Sequence, residues 1–173
     1  MLFVFAGCAN LPDNFGRTTT FAFTPDEKTR LYQATTKAVG EEPDESAYLL
    51  LGNGLDALVA RAVLAHYAQK SIDAQYYLLH NDVVGRLFID QLLKAADRGV
   101  RVRLLVDDMD MEGREFDTAV LDAHPNIEVR LFNPFGRNSG RFFQYITGFG
   151  EQTRRAHNKS LTVEPLAKLR SDL

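Results

Sequence analysis

The sequence predicts an α/β domain whose helices and strands alternate around a parallel or mixed sheet. Three observations carry that expectation. Apolar residues recur at helical spacing over Leu55–Gln69 and Val83–Arg98; β-branched and aromatic runs lie between and after them; and Gly, Asn and Pro punctuate short connections throughout 46–132. Strands joined through helices in this way form crossover units, which favour parallel pairing.

Along the chain, residues 1–45 read as a leader and linker, and little regular structure is expected over 9–45. Leu11-Pro12-Asp13-Asn14 and Thr18-Thr19-Thr20 are turn and loop material, and Gly40 to Glu45 is a polar break. A short helix can open at Pro25, with Thr24 as N-cap and Glu27 three residues on. Ala47–Leu51 is a short apolar run closed by Gly52-Asn53-Gly54. The first long helix follows, with its stripe at Leu55, Leu58, Val59, Ala62, Val63 and Ala65. Ser71–Leu79 reads as a strand, given aromatic weight by Tyr76 and Tyr77.

The second helix, Val83–Arg98, takes Asn81 or Asp82 as its cap, carries Leu87, Phe88, Leu92, Leu93 and Ala96 on its apolar stripe, and ends at Gly99. Val100–Val106 alternates as a strand with an increasingly buried end, and Phe116–Ala123 is a third helix. Pro125-Asn126 turns into the strand Ile127–Phe132. Residues 133–152, rich in Gly, Phe and Arg, read as a long loop, and the last strand starts near His157.

At 173 residues, 45% hydrophobic and 25% charged, the composition is that of one globular domain with a core. No run of eighteen apolar residues exists. The net charge of −3 argues against generic nucleic-acid binding. From Val129 onward, eight Lys/Arg face three Asp/Glu, a balance of +5 that leaves −8 for residues 1–128. This basic end is either a solvated face or a rim near His157 that attracts anionic head groups. The single cysteine, Cys8, has no internal partner for a disulfide. It follows Leu2-Phe3-Val4-Phe5-Ala6-Gly7, an apolar run ending in small residues, which resembles a bacterial lipoprotein cleavage site with Cys8 as the lipidated residue. The alternative is an inert thiol in an apolar tail, since the run is short for a signal peptide and lacks a basic start.

The chemistry sits in Arg154-Arg155-Ala156-His157-Asn158-Lys159-Ser160-Leu161-Thr162-Val163-Glu164. Side chains alternate along a strand, so His157 and Lys159 are expected on one face. An imidazole that can attack phosphorus and an ammonium that can hold its non-bridging oxygens suit a phosphate ester. Asp107-Asp108-Met109-Asp110, after a strand end, can bind a metal or cap the following helix. His66, His80 and His124 read as structural or exposed. Gln75 and Tyr77 point to the site or pack. Phe132–Phe143, mixing aromatics with Arg, suits either an interfacial lipid-binding loop or a cover for the core.

The His157–Glu164 stretch resembles the signature of the phospholipase D superfamily: His-x-Lys, then Asp after four residues, then Gly-Gly-x-Asn or Gly-Ser-x-Asn. Glu164 holds the Asp position here, and Pro165–Leu173 lacks the small-residue stretch. The segments Ser71–Tyr77, Ala96–Asp108 and Asn126–Pro134 are similar to phospholipase D-type cardiolipin synthases, the lipoprotein-like C type in particular. The resemblance covers residues 46–164, leaving 165–173 as a divergent tail in which Pro165 discourages a further strand. It implies an incomplete phospholipase D-like lobe, a mixed or parallel sheet flanked by helices, from a two-lobed protein in which each lobe donates one motif.

The resemblance further implies phosphatidyl transfer through a phosphohistidine. His157 is nucleophile or acid, Lys159 the phosphate clamp, and Glu164 a carboxylate that orients a neighbour. It implies a phospholipid substrate, a membrane surface, no cofactor and no metal, with the site completed by a homodimer or a missing second lobe. The rivals are a homodimeric one-motif phosphodiesterase or nuclease, and an inactive truncated remnant or lipid-surface module. Lipidation at Cys8 places the chain at the cell envelope; without it the chain is cytoplasmic.

Overall fold

A computed structural model describes residues 18–40, 47–111, 115–135, 154–164 and 167–170. Cys8 and the Gly136–Phe143 part of the aromatic loop lie outside them. The first helix, α1 (Arg30–Val39), falls where little regular structure is expected. Its N-cap is Thr29 rather than Thr24: the Thr29 hydroxyl accepts the Tyr32 N–H at 3.3 Å. The Asp26 carboxylate accepts the Lys28 N–H, and Thr29 itself bonds the Asp26 carbonyl, so residues 26–29 form a turn and the helix starts after it. Tyr48, Leu49 and Leu50 join no strand or helix and are 93%, 83% and 94% exposed.

Then come α2 (Gly54–Tyr67), capped by Asn53, and the strand β1 (Ser71–Tyr76). Helix α3 (Val83–Asp97) follows, with Asp82 accepting the Gly85 N–H at 2.8 Å. Gly85 allows α3 to approach the preceding turn closely, since a Cβ there would lie 1.9 Å from the His80 carbonyl oxygen. Gly99, at φ +91, turns the chain out of α3 in the left-handed region that glycine enters without strain. The rest of the chain forms β2 (Arg101–Asp107), a 3₁₀ turn (Asp108–Asp110), α4 (Glu115–Asp122), β3 (Ile127–Phe132), β4 (Lys159–Val163) and β5 (Ala167–Arg170). Strand β5 lies where Pro165 was expected to discourage a further strand. Val163 pairs with Ala167 and Ser160 with Arg170, so the chain reverses after Glu164, which takes φ +50, and adds an edge strand.

The sheet order is β3-β2-β1-β4-β5. Strands β1, β2 and β3 are parallel; β4 and β5 each run antiparallel to their neighbour, so the sheet is mixed and helices pack on it. Register decides which residues share a face. Ile72, Ala74, Val102, Leu104, Val106, Ile127, Val129, Leu161 and Val163 share the buried face and pack with Ala65, Phe88, Leu92, Ala95 and Ala96 from α2 and α3. The other face is polar. Asp73, Arg103 and Glu128 stand directly opposite one another across three strands, so charges of alternating sign meet. Arg103 binds both Asp73 oxygens, at 2.6 and 2.5 Å, and the Thr20 hydroxyl at 3.0 Å. Arg101 donates to the Phe21 carbonyl at 2.9 Å and lies 4.1 Å from the Phe23 ring centre. Thr20–Phe23 is thereby held against the polar face.

Candidate active site

Because β4 runs opposite to β1–β3, its N-terminal flank lies at the end of the sheet where the parallel strands finish. Open α/β sheets form their sites at the carboxyl ends of their strands. Residues 154–158 therefore meet Tyr77 just past β1, Asp107 at the end of β2, and Asn133 and Phe135 past β3.

Lys159 is the first residue of β4 and pairs with Tyr76, so both side chains leave the sheet on the helix-covered side. Tyr76 packs its ring 5.0 Å from that of Phe88, and its hydroxyl accepts from Arg61 Nε at 2.9 Å. Burial raises the Tyr76 hydroxyl above the ordinary tyrosine range, against the lowering effect of Arg61. His157 lies two residues before β4 in a tight stretch: its N–H donates to the Arg155 carbonyl at 3.1 Å, and the Asn158 N–H to the Ala156 carbonyl at 2.6 Å. The imidazole is exposed, with its ring centre 4.7 Å from that of Tyr77. Among the described residues it has no hydrogen-bond partner, and Lys159 has no carboxylate partner.

The neighbours of His157 are firmly fixed. Asn158 accepts the Tyr77 N–H at 2.9 Å through its carbonyl, and its side-chain amide donates to Gln75 Oε1 at 3.3 Å. Asp107, with no exposed side-chain surface, accepts the Ala156 N–H at 3.0 Å, Arg155 Nη1 at 3.0 Å and the Met109 N–H at 2.9 Å. Arg155 also donates to the Asn133 carbonyl at 3.0 Å and covers the buried Phe135 ring at 4.3 Å. Asp108 accepts the Phe135 N–H at 2.7 Å. The aspartates after β2 thus hold backbone and an arginine. Among the described residues no three His, Cys, Asp or Glu side chains group as a metal site. Phe135, the first aromatic of the loop past β3, is a cover rather than an exposed anchor.

Glu164 sits at the other end of β4, about 20 Å from His157 at ~3.3 Å per residue. Its Oε1 accepts the Gln69 and Lys70 N–H groups at 2.7 and 3.1 Å, fastening the α2–β1 connection, while Oε2 is buried and has no partner among the described residues. His66 and His124 also lie away from His157. His66 stacks edge-on to Tyr67 at the end of α2, and His124 bonds Asp97 at 3.3 Å beyond α4.

Gln75 and Tyr77, expected either to pack or to face the site, lie beside Asn158 and the His157 ring. Sequence reasoning missed Arg155 and read Asp107 as a cap or a metal ligand. The sequence signals were a carboxylate doublet at a strand end and a distant arginine doublet, and nothing local pairs them.

No family model matches the chain. Cardiolipin synthase C of Escherichia coli is 45% identical over 140 residues, covering 81% of this chain and 30% of that protein. An uncharacterized protein of Helicobacter pylori is 42% identical over 129 residues, covering 73% of this chain and 26% of its own length. The chain thus spans under a third of the curated relatives it matches. Among solved structures, NucT from Helicobacter pylori aligns with a TM-score of 0.44 at 18% identity, over 64% of this chain and 61% of that one. The chain is cardiolipin synthase C-like in sequence over four-fifths of its length, which bears out its resemblance to the phospholipase D superfamily.

Proposed function

We propose that this chain is one lobe of a phospholipase D-type phosphatidyl transferase of the cardiolipin synthase kind, with His157 as the group that meets phosphorus. The observation that carries this reading is the exposed imidazole at the carboxyl end of the parallel strands, which among the described residues has no hydrogen-bond partner and lies two residues from a lysine with no carboxylate partner. The His157 ring nitrogen attacks the phosphorus of a phospholipid, and the bond to the head-group oxygen breaks. That oxygen leaves with a proton from an acid on a second lobe or a second copy. A lipid hydroxyl then attacks the phosphohistidine, gives its proton to the same group and carries away the phosphatidyl unit. Lys159 offsets the charge that builds on the non-bridging oxygens. No cofactor enters any step. Glu164 holds the α2–β1 connection and takes no part in bond making. The substrate places the protein at a membrane surface of the cell envelope, whether through lipidated Cys8 or through adsorption.

The test incubates the full chain with phosphatidylglycerol vesicles over a range of protein concentrations. Cardiolipin and an acid-labile phosphatidyl adduct on His157 are followed by mass spectrometry. The expected result is an adduct lost in His157→Ala, with turnover rising more steeply than protein concentration where two copies complete the site. A folded chain giving neither adduct nor cardiolipin, or an adduct that survives His157→Ala, refutes the assignment. Cleavage of plasmid DNA in place of lipid transfer would move the chain to the nuclease reading.

A further inference from the structure

We propose that Asp107 is a positioning residue for His157, acting with Arg155 as a buried clamp. The inference rests on the reading of His157 as the reacting group, but its geometry is independent of which phosphodiester reacts. Asp107 uses one carboxylate oxygen for the Ala156 N–H at 3.0 Å and the other for Arg155 Nη1 at 3.0 Å. Both bonds fall within two residues of His157. The Arg155 side chain is 8% exposed and that of Asp107 is 0% exposed. The same Nη1 reaches the Asn133 carbonyl, and Asn133 Nδ2 donates to the Arg154 carbonyl at 2.8 Å. The segment before His157 is therefore tied to the ends of both β2 and β3, while Tyr77 holds the residue after it.

The clamp is poorly explained as a device for stability. Among the described residues Arg155 Nε and Nη2 are buried without a hydrogen-bond partner, and a buried ion pair with unmet donors does no better than apolar packing of the same volume. What such a pair supplies is one fixed arrangement of the chain. Here that arrangement projects the imidazole outward against Tyr77. A reacting group needs its geometry held by surrounding residues, because small displacements lower the rate steeply.

The experiment reads position directly. In the full chain, the His157 ring is assigned by nuclear magnetic resonance from the signal lost in His157→Ala. The contact between the Tyr77 and His157 rings and the exchange of the Ala156 amide are then followed in Asp107→Ala. The expected result is loss of the ring contact and exchange at Ala156 faster by about tenfold or more. The signals of His66 and His124 stay in place. If Asp107→Ala does not fold, Asp107→Asn keeps an acceptor without the charge, and Arg155→Lys keeps the charge without the fork; each should weaken the same contact. An unchanged ring contact in a folded variant overturns the proposal, as does a change spread evenly over all four histidines. In a preparation that forms the His157 adduct, Asp107→Asn should lower kcat and leave KM for phospholipid within about twofold. A chain that shows the ring contact yet forms no adduct refutes the reading of function and leaves the clamp standing.

Discussion

Replacing Glu164 separates two roles that a buried carboxylate can play. The side chain is 3% exposed, takes two backbone N–H groups at 2.7 and 3.1 Å, and leaves Oε2 without a partner among the described residues. Hydrogen bonds to a charged acceptor are worth roughly 1.5–3 kcal/mol each, so Glu164→Ala removes at most about 3–6 kcal/mol. Gln69 and Lys70 are exposed residues whose amides water can reach once the carboxylate is gone, and the desolvation of an ionised oxygen is recovered at the same time. The net loss expected is about 2 kcal/mol, a fall in Tm of roughly 4–8 °C for a chain of this size. Glu164→Gln keeps the accepting oxygen, removes the charge and changes stability by under about 1 kcal/mol. Glu164→Asp shortens the side chain by one methylene and falls between them. All three retain the φ +50 backbone, so strain cancels from the comparison. Urea unfolding followed by circular dichroism measures the series. Glu164→Ala as stable as the parent, or Glu164→Gln as damaging as Glu164→Ala, would refute the reasoning.

Three further outcomes follow from contacts in the fold. Gly85→Ala gains about 1 kcal/mol of helix propensity but places a Cβ 1.9 Å from the His80 backbone oxygen, which cannot yield as a side chain does; a net loss of about 2 kcal/mol is expected in urea unfolding. Asp73 and Arg103, each about a quarter exposed, should couple by roughly 1 kcal/mol in a double-mutant cycle, and 1 M salt should reduce that coupling. Tyr76, raised by burial, favours its neutral form in the folded chain. Its contribution is therefore complete below the ordinary tyrosine range and is lost as pH rises through the folded value. An ultraviolet titration should show one tyrosine ionising late, and Tyr76→Phe should remove that step.

Helices α2 and α3 and strands β2 and β3 were legible because each carries its own period, with Asp82 and Gly99 at the ends of α3; the expected stripe of α2 is not its buried face, since Leu55, Val59 and Val63 are exposed and Ala65 is the residue it buries. Helix α1 was not, since none of its residues is fully buried and its apolar side is small, Leu31 being the residue that packs on the core. The strand direction of β4 and the presence of β5 were equally hidden. A strand reads the same in either direction, and Pro165 weighed against continuation without excluding a reversal. In the site, His157 and Lys159 could be read as a local pattern. Their support could not: Asp107 and Arg155 are 48 residues apart in sequence, and only the meeting of strand ends brings them together.

The direction of β4 decides what the motif can do. Three parallel strands deliver their carboxyl ends to one side of the sheet, and a fourth running with them would deliver only residues that follow it. Running against them, β4 brings the residues that precede it, so His157 comes before the strand and meets Tyr77 and the Asp107 clamp. The same reversal sends whatever follows β4 to the far side. A carboxylate at position 164 therefore ends beside the α2–β1 connection, a strand's length from His157. The spacing that looks like a catalytic triplet in sequence divides in space: His157 and Lys159 lie at one end of β4 and Glu164 braces the other. Lengthening the acid from Asp to Glu alters the brace, and its effect on the imidazole has to travel along β4.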